Sequence, residues 1–100
     1  MTVTVVTTPE AEEQIQAIDT WWRNNRPAAP GLFAEELASC LGLLERAPQI
    51  GRVYRRHATV RGLRRVLLRA SRYHVYYLER PDVVAVLAVW HSQRGQLPPL

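Results

Sequence analysis

Two imidazoles, His74 and His91, lie in SRYHVYYLERPDVVAVLAVWHSQRG, the stretch from Ser71 to Gly95, with arginines at both of its ends. Histidine titrates near neutrality, so two of them on neighbouring strands have the chemistry for acid–base cleavage of RNA, given a register that brings them together. The plainer reading leaves His74 solvated on a sheet face and His91 at a strand end beside Trp90, and this is the reading adopted. His57, His74 and His91 show no local ligand spacing and have no Cys or Asp cluster beside them, so neither a metal site nor a cofactor is expected. Tyr73, Tyr76 and Tyr77 with their flanking arginines could stack on the bases of a single-stranded nucleic acid. Strand alternation puts Tyr73, Val75 and Tyr77 on one face and His74, Tyr76 and Leu78 on the other, so at most part of the set could do so. Cross-strand packing is the commoner use of such residues. Cys40, the single cysteine, falls in an apolar helical stripe and is expected to be a packed core thiol.

These residues need a scaffold, and the chain is short. One hundred residues make one small domain, and 47% hydrophobic composition supports a thin core. No apolar run approaches the roughly 20 residues of a membrane span. MTVTVVTTPE lacks the basic flank and apolar length of a secretory signal. A lone cysteine excludes an internal disulfide framework, and a cytoplasmic location is expected.

Charge is distributed unevenly. Residues 1–50 hold three arginines against seven acids, a balance of −4, and residues 51–100 hold ten arginines against two acids, a balance of +8. All thirteen basic residues are arginine, which genomic base composition can explain; the difference between the halves it cannot. A basic second half implies a polyanionic or acidic partner.

The pattern predicts an α+β domain. Thr2 to Thr7 is rich in β-branched residues and reads as a strand. Thr8-Pro9-Glu10 is a helix start, with a capping hydroxyl, a proline at the first position and acids in the first turn. That helix runs to about Asn25 with Ala11, Ile15, Ile18 and Trp22 as its buried stripe. Adjacent helical residues point about 100° apart, so both cannot be equally buried: Trp22 fits the core stripe, and Trp21 is expected to be partly exposed, where it could lie in a partner contact. A second helix is predicted from Ala29 to Ala47, with Phe33, Leu37, Cys40, Leu41 and Leu44 facing the core and Pro48 ending it. The two helices form an antiparallel hairpin. Gln49 to Gly62 is aperiodic and basic and reads as a loop. Leu63 to Arg69, Arg72 to Glu79 and Asp82 to His91 then form a three-stranded antiparallel meander, because connections this short join only antiparallel neighbours. The apolar run VVAVLAVW implies a central last strand covered on both faces, and Gly95 to Leu100 an irregular tail.

Taken in order, a strand leading into TPEAEEQI, a helix closing on APQIGR, then LRRVLL, RYHVYYL and VLAVWHSQRG resemble the ParE/RelE superfamily of type II toxins from about Thr4 to Gly95. The specific part is the set: the PEAEEQI start, Pro48 to Arg52 as Pro-x-x-Gly-Arg, and Arg72 to Tyr77 as Arg-Tyr-x-x-Tyr-Tyr.

The resemblance implies one of two activities. RelE-type members cut mRNA on the ribosome; ParE-type members have no known catalysis and are described as poisoning DNA gyrase; both are neutralised by an antitoxin that lies across the toxin. Against the RelE pattern, Arg65 keeps a basic position and His74 stands where an arginine is typical. Trp90, His91 and Ser92 occupy the place of a second arginine, and no tyrosine follows Gly95. The ParE reading is therefore preferred. It implies a non-enzymatic gyrase inhibitor with Arg64, Arg65, Arg72 and Arg94 as target-binding residues, and no catalytic residue. Trp21, Arg55 and Arg56 are the expected antitoxin contacts in a hetero-oligomer. The alternative is a ribosome-dependent, metal-independent endoribonuclease using Arg65, His74 and His91.

Overall fold

The computed structural model describes residues 2–55, 60–94 and 98–100. The elements are β1 (Thr4–Thr7), α1 (Pro9–Asn25), α2 (Leu32–Arg46), β2 (Arg52–Val53), β3 (Arg64–Leu68), β4 (Tyr73–Glu79) and β5 (Val83–His91). Among the described residues they form one five-stranded sheet in the order β1-β5-β4-β3-β2, antiparallel except where β1 runs parallel to β5. The α+β expectation, the helical hairpin and the meander all hold.

Local chemistry explains the helix ends. Thr8 Oγ1 accepts the Ala11 N–H at 3.1 Å, which caps α1 as its sequence implies. The second helix begins at Leu32, three residues later than expected, because Pro30 biases Ala29 away from helical geometry. At its other end Pro48 leaves Ala47 as the C-cap, with φ −140°.

Both helices cover one face of the sheet. Ala11 and Trp22 from α1 and Phe33, Leu37, Cys40 and Leu44 from α2 pack against Leu68, Val75, Tyr77, Val84, Val86 and Val89. The far face carries only a small second cluster, in which Tyr54 and Leu63 pack on Tyr76 and Ala88 and are joined by Leu100. The last strand was expected to be central and covered on both faces, and β5 does lie inside the sheet, between β1 and β4. β5 has neighbours on both edges, but Val83, Ala85 and Leu87 stay partly exposed, so its second face is only partly covered. The ladder slips by one residue between Tyr76 and Tyr77, leaving Leu87 without a cross-strand partner on β4.

The expected loop from Gln49 to Gly62 contains β2, which a two-residue basic strand could not reveal by periodicity. Tertiary contacts create it. The Tyr77 hydroxyl donates to Pro48 O at 2.8 Å and accepts the Gly51 N–H at 2.9 Å. A Cβ on Gly51 would come within 2.6 Å of that hydroxyl, so only glycine fits. This clasp gives Pro-x-x-Gly a physical meaning: it fixes the chain just before β2 and thereby sets where Arg52 lies.

Candidate functional site

Register builds a basic groove on the far face. Arg52 pairs across from Arg65, Arg65 from Tyr76, and Leu67 from His74. Alternation along β3 puts Arg65 and Leu67 on that side, and Arg69 follows in the turn just beyond the strand. Arg72 enters from the β3–β4 turn, where its φ of 70° makes it the one described non-glycine residue in the left-handed region. Its N–H donates to Leu68 O at 2.7 Å, and its carbonyl accepts the Ser92 N–H at 2.8 Å, so the turn is held from both sides. Arg52, Arg65, Arg69, Arg72 and His74 line a groove of about 570 Å³.

Arg65 is the ordered member. Its guanidinium lies 4.2 Å from the Tyr54 ring centroid, and Nη1 donates to the Tyr76 hydroxyl at 3.4 Å. Burial and the nearby Arg65 and Arg72 charges push His74 down to about 4, so its imidazole is neutral at pH 7.

The expected target-binding arginines divide. Arg65 and Arg72 come together in the groove. Arg64 points to the helix-covered side, where Nη1 donates to Gly51 O at 2.7 Å and Gln49 O at 3.3 Å. It ties the β2 segment to β3 on that side, so of the four expected target-binding arginines it does not share the groove with Arg65 and Arg72. Arg94 stacks at 4.2 Å on the Trp90 ring and lines a different groove. Arg52 and Arg69 belong with Arg65 and were not singled out.

His74 and His91 do not meet. His74 pairs across from Trp90 and His91 from Tyr73, which places the imidazoles on opposite faces of the sheet. The His91 ring lies edge-on to Tyr73 at 5.0 Å, and its Nδ1 accepts the Gln93 N–H at 3.1 Å. The paired acid–base arrangement that nuclease chemistry would require of them is not assembled. His57 lies outside the described residues. The tyrosines are largely enclosed: Tyr76 and Tyr77 are buried and Tyr73 packs against Phe33, so they offer no stacking platform. Burial first, and then the nearby Glu36 charge, push the Cys40 thiol up to about 11, in keeping with a core residue.

A second, apolar groove of about 480 Å³ runs between α1 and the end of β5. Beyond the last β1 pairing, the Val89 N–H is satisfied by Gln14 Oε1 at 2.8 Å. Trp21 lines this groove at 43% exposure while Trp22 is buried, the division expected from their helical positions. The Arg26 guanidinium lies 4.8 Å from the Trp21 ring centroid. Arg55 is exposed, and Arg56 lies outside the described residues.

Glu36 ties α2 to the β3–β4 turn. It accepts from the Ala70 N–H at 2.7 Å, the Ser71 N–H at 2.9 Å and the Ser71 hydroxyl at 2.6 Å. Burial acts to raise its pKa, but these hydrogen bonds outweigh that and hold it below the ordinary value.

Comparison with known proteins agrees with the geometry. No curated protein sequence matches the chain. A solved structure titled "Chromosomal ParDE TA system from P. aeruginosa" is similar, with a TM-score of 0.73 and 14% identity, over 92% of this chain and 98% of that one. The family described as "ParE toxin of type II toxin-antitoxin system, parDE" matches residues 5–95. Since that match spans nearly the whole sequence, the chain belongs to the ParE toxin family of type II toxin–antitoxin systems.

Proposed function

We propose that this chain acts in the cytoplasm by binding DNA gyrase and inhibiting it, and that a cognate antitoxin holds it inactive in a hetero-oligomer. Family membership supports the toxin role. The observation that favours binding over cutting is the placement of His74 and His91 on opposite faces of the sheet, which leaves no paired imidazoles for acid–base cleavage. Arg65 and Arg72 supply target contacts, and the exposed Trp21 groove with Arg55 receives the antitoxin. A disordered antitoxin tail that folds on binding loses conformational entropy. Apolar burial against Trp21 and acids placed against arginine offset that loss.

The test is a gyrase supercoiling assay run beside a ribosome-programmed mRNA cleavage assay. Loss of supercoiling with intact mRNA is the expected result. Codon-specific cleavage that disappears in His74→Ala or His91→Ala would instead establish the endoribonuclease alternative.

A further inference from the structure

The basic groove contains a feature that a protein-contact role alone does not require. Arg52 and Arg65 are directly opposed on adjacent strands, an arrangement that destabilises a sheet through like-charge repulsion. Tyr54 and Tyr76 contact the Arg65 guanidinium, but among the described residues no opposite charge offsets the pair. No acidic residue lines the groove, and the single ion pair among the described residues, Arg23 with Asp19 at 3.0 Å, lies on α1. Arg69 and Arg72 add two more charges to the same depression.

We propose that this groove binds phosphate groups, those of a nucleotide or of a single nucleic-acid strand, between Arg52, Arg65, Arg69 and Arg72, with His74 beside them. Guanidinium forks match phosphate oxygens two at a time, and Arg65 is already oriented by Tyr54 and Tyr76. The spacing favours a ligand with more than one anionic group. Arg52 and Arg65 are cross-strand neighbours about 5 Å apart at Cβ, whereas Arg69 lies in the turn beyond the end of β3 and Arg72 just before β4. One carboxylate cannot span that row; a chain of phosphates can. His74 is kept neutral by burial and by the Arg65 and Arg72 charges, and it also faces Leu67 and Trp90 across the strands and Tyr76 on its own. Burial is the larger cause of the depression and stays in place, but an anion seated among the arginines offsets the Arg65 and Arg72 charges, so protonation of His74 and phosphate binding strengthen each other.

This site does not depend on the gyrase reading. The full chain is titrated with pyrophosphate, a mononucleotide and short oligothymidylate and oligouridylate, following the ring resonances of His74 and His91 by NMR. The pKa of His74 is expected to rise from about 4 by roughly one unit or more, while ligand addition leaves the ring resonance positions of His91, on the opposite face, undisplaced at fixed pH. Arg52→Gln and Arg69→Gln, both at exposed positions, weaken strand binding several-fold. Each lowers the slope of log affinity against log salt by about 0.7. Affinity that grows with strand length identifies a strand as the ligand, and saturation by the mononucleotide without further gain identifies a free nucleotide. A His74 ring unmoved by every probe, or variants that bind with the parent's affinity and salt slope, would overturn the proposal. Phosphate binding without gyrase inhibition would keep this site and reject only the target reading.

Discussion

The two faces of the sheet are built from the same strands and do opposite work. On the helix-covered face Phe33, Leu44, Val75, Tyr77, Val84 and Val86 are fully buried. On the far face β2, β3 and the β3–β4 turn present Arg52, Arg65, Arg69 and Arg72 around a groove, over a cluster with four buried members. One face supplies the stability that lets the other carry uncompensated charge. A small domain that gathers like charges can do so only where few buried contacts are lost in return. Tyr77 links the two, since its ring lies in the main core and its hydroxyl fixes the segment that leads into β2.

The comparison breaks most visibly at Phe33. Phe33→Ala empties a fully buried site beside Tyr73 and should lower unfolding free energy by about 3–5 kcal/mol, read from the urea midpoint. Arg69→Gln on the other face should change it by less than about 0.5 kcal/mol. Equal effects would show that the far face is as structural as the near one.

Tyr77→Phe tests the link. It leaves the Gly51 N–H and Pro48 carbonyl without their partner and should cost about 1–3 kcal/mol. A variant that retained full stability and groove binding would mean that the clasp does not position β2.

Acid distinguishes the faces by pH window. His74 has a folded pKa depressed to about 4 from 6.5, so the unfolded chain takes up a proton first and stability falls as pH drops between those values. Glu36, tying α2 to the β3–β4 turn, is also held below its ordinary value, 4.5. Its contribution is therefore complete above that pH and is lost only as pH falls further. In a series of urea midpoints, His74→Gln should flatten the upper part of the acid limb and Glu36→Gln the lower part.

Much of this was legible in sequence. Thr8-Pro9 marks a helix start by capping chemistry alone, and Ala11, Ile15, Ile18 and Trp22 state its buried side by spacing. Alternation assigned Tyr73, Val75 and Tyr77 to one face correctly. What escaped depends on contacts distant in sequence. β2 exists because Tyr77 reaches Gly51 across 26 positions, which no local period encodes. The separation of His74 from His91 follows from register, and Arg64 and Arg65, adjacent and chemically identical, were given the same role because only the ladder shows them facing opposite ways.

A small effect on stability is also expected at the Trp21 groove proposed to receive the antitoxin. Trp21 is 43% exposed, so Trp21→Ala should change unfolding free energy by less than about 1 kcal/mol. It should, however, speed antitoxin dissociation, while Arg55→Glu mainly slows association. Surface-immobilised kinetics separates the two, and an unchanged off-rate in Trp21→Ala would remove the proposed anchor.

The central claim is that the near face holds the fold while the arginines of the far face engage the target. A gyrase supercoiling titration on the parent chain and on the Arg65→Gln/Arg72→Gln double variant, with urea midpoints measured on the same samples, tests it most directly. The account predicts that the parent inhibits supercoiling, less so as salt rises. The double variant should inhibit markedly less at a stability within about 1 kcal/mol of the parent. Normal supercoiling at saturating parent protein, or undiminished inhibition by the double variant, would contradict it.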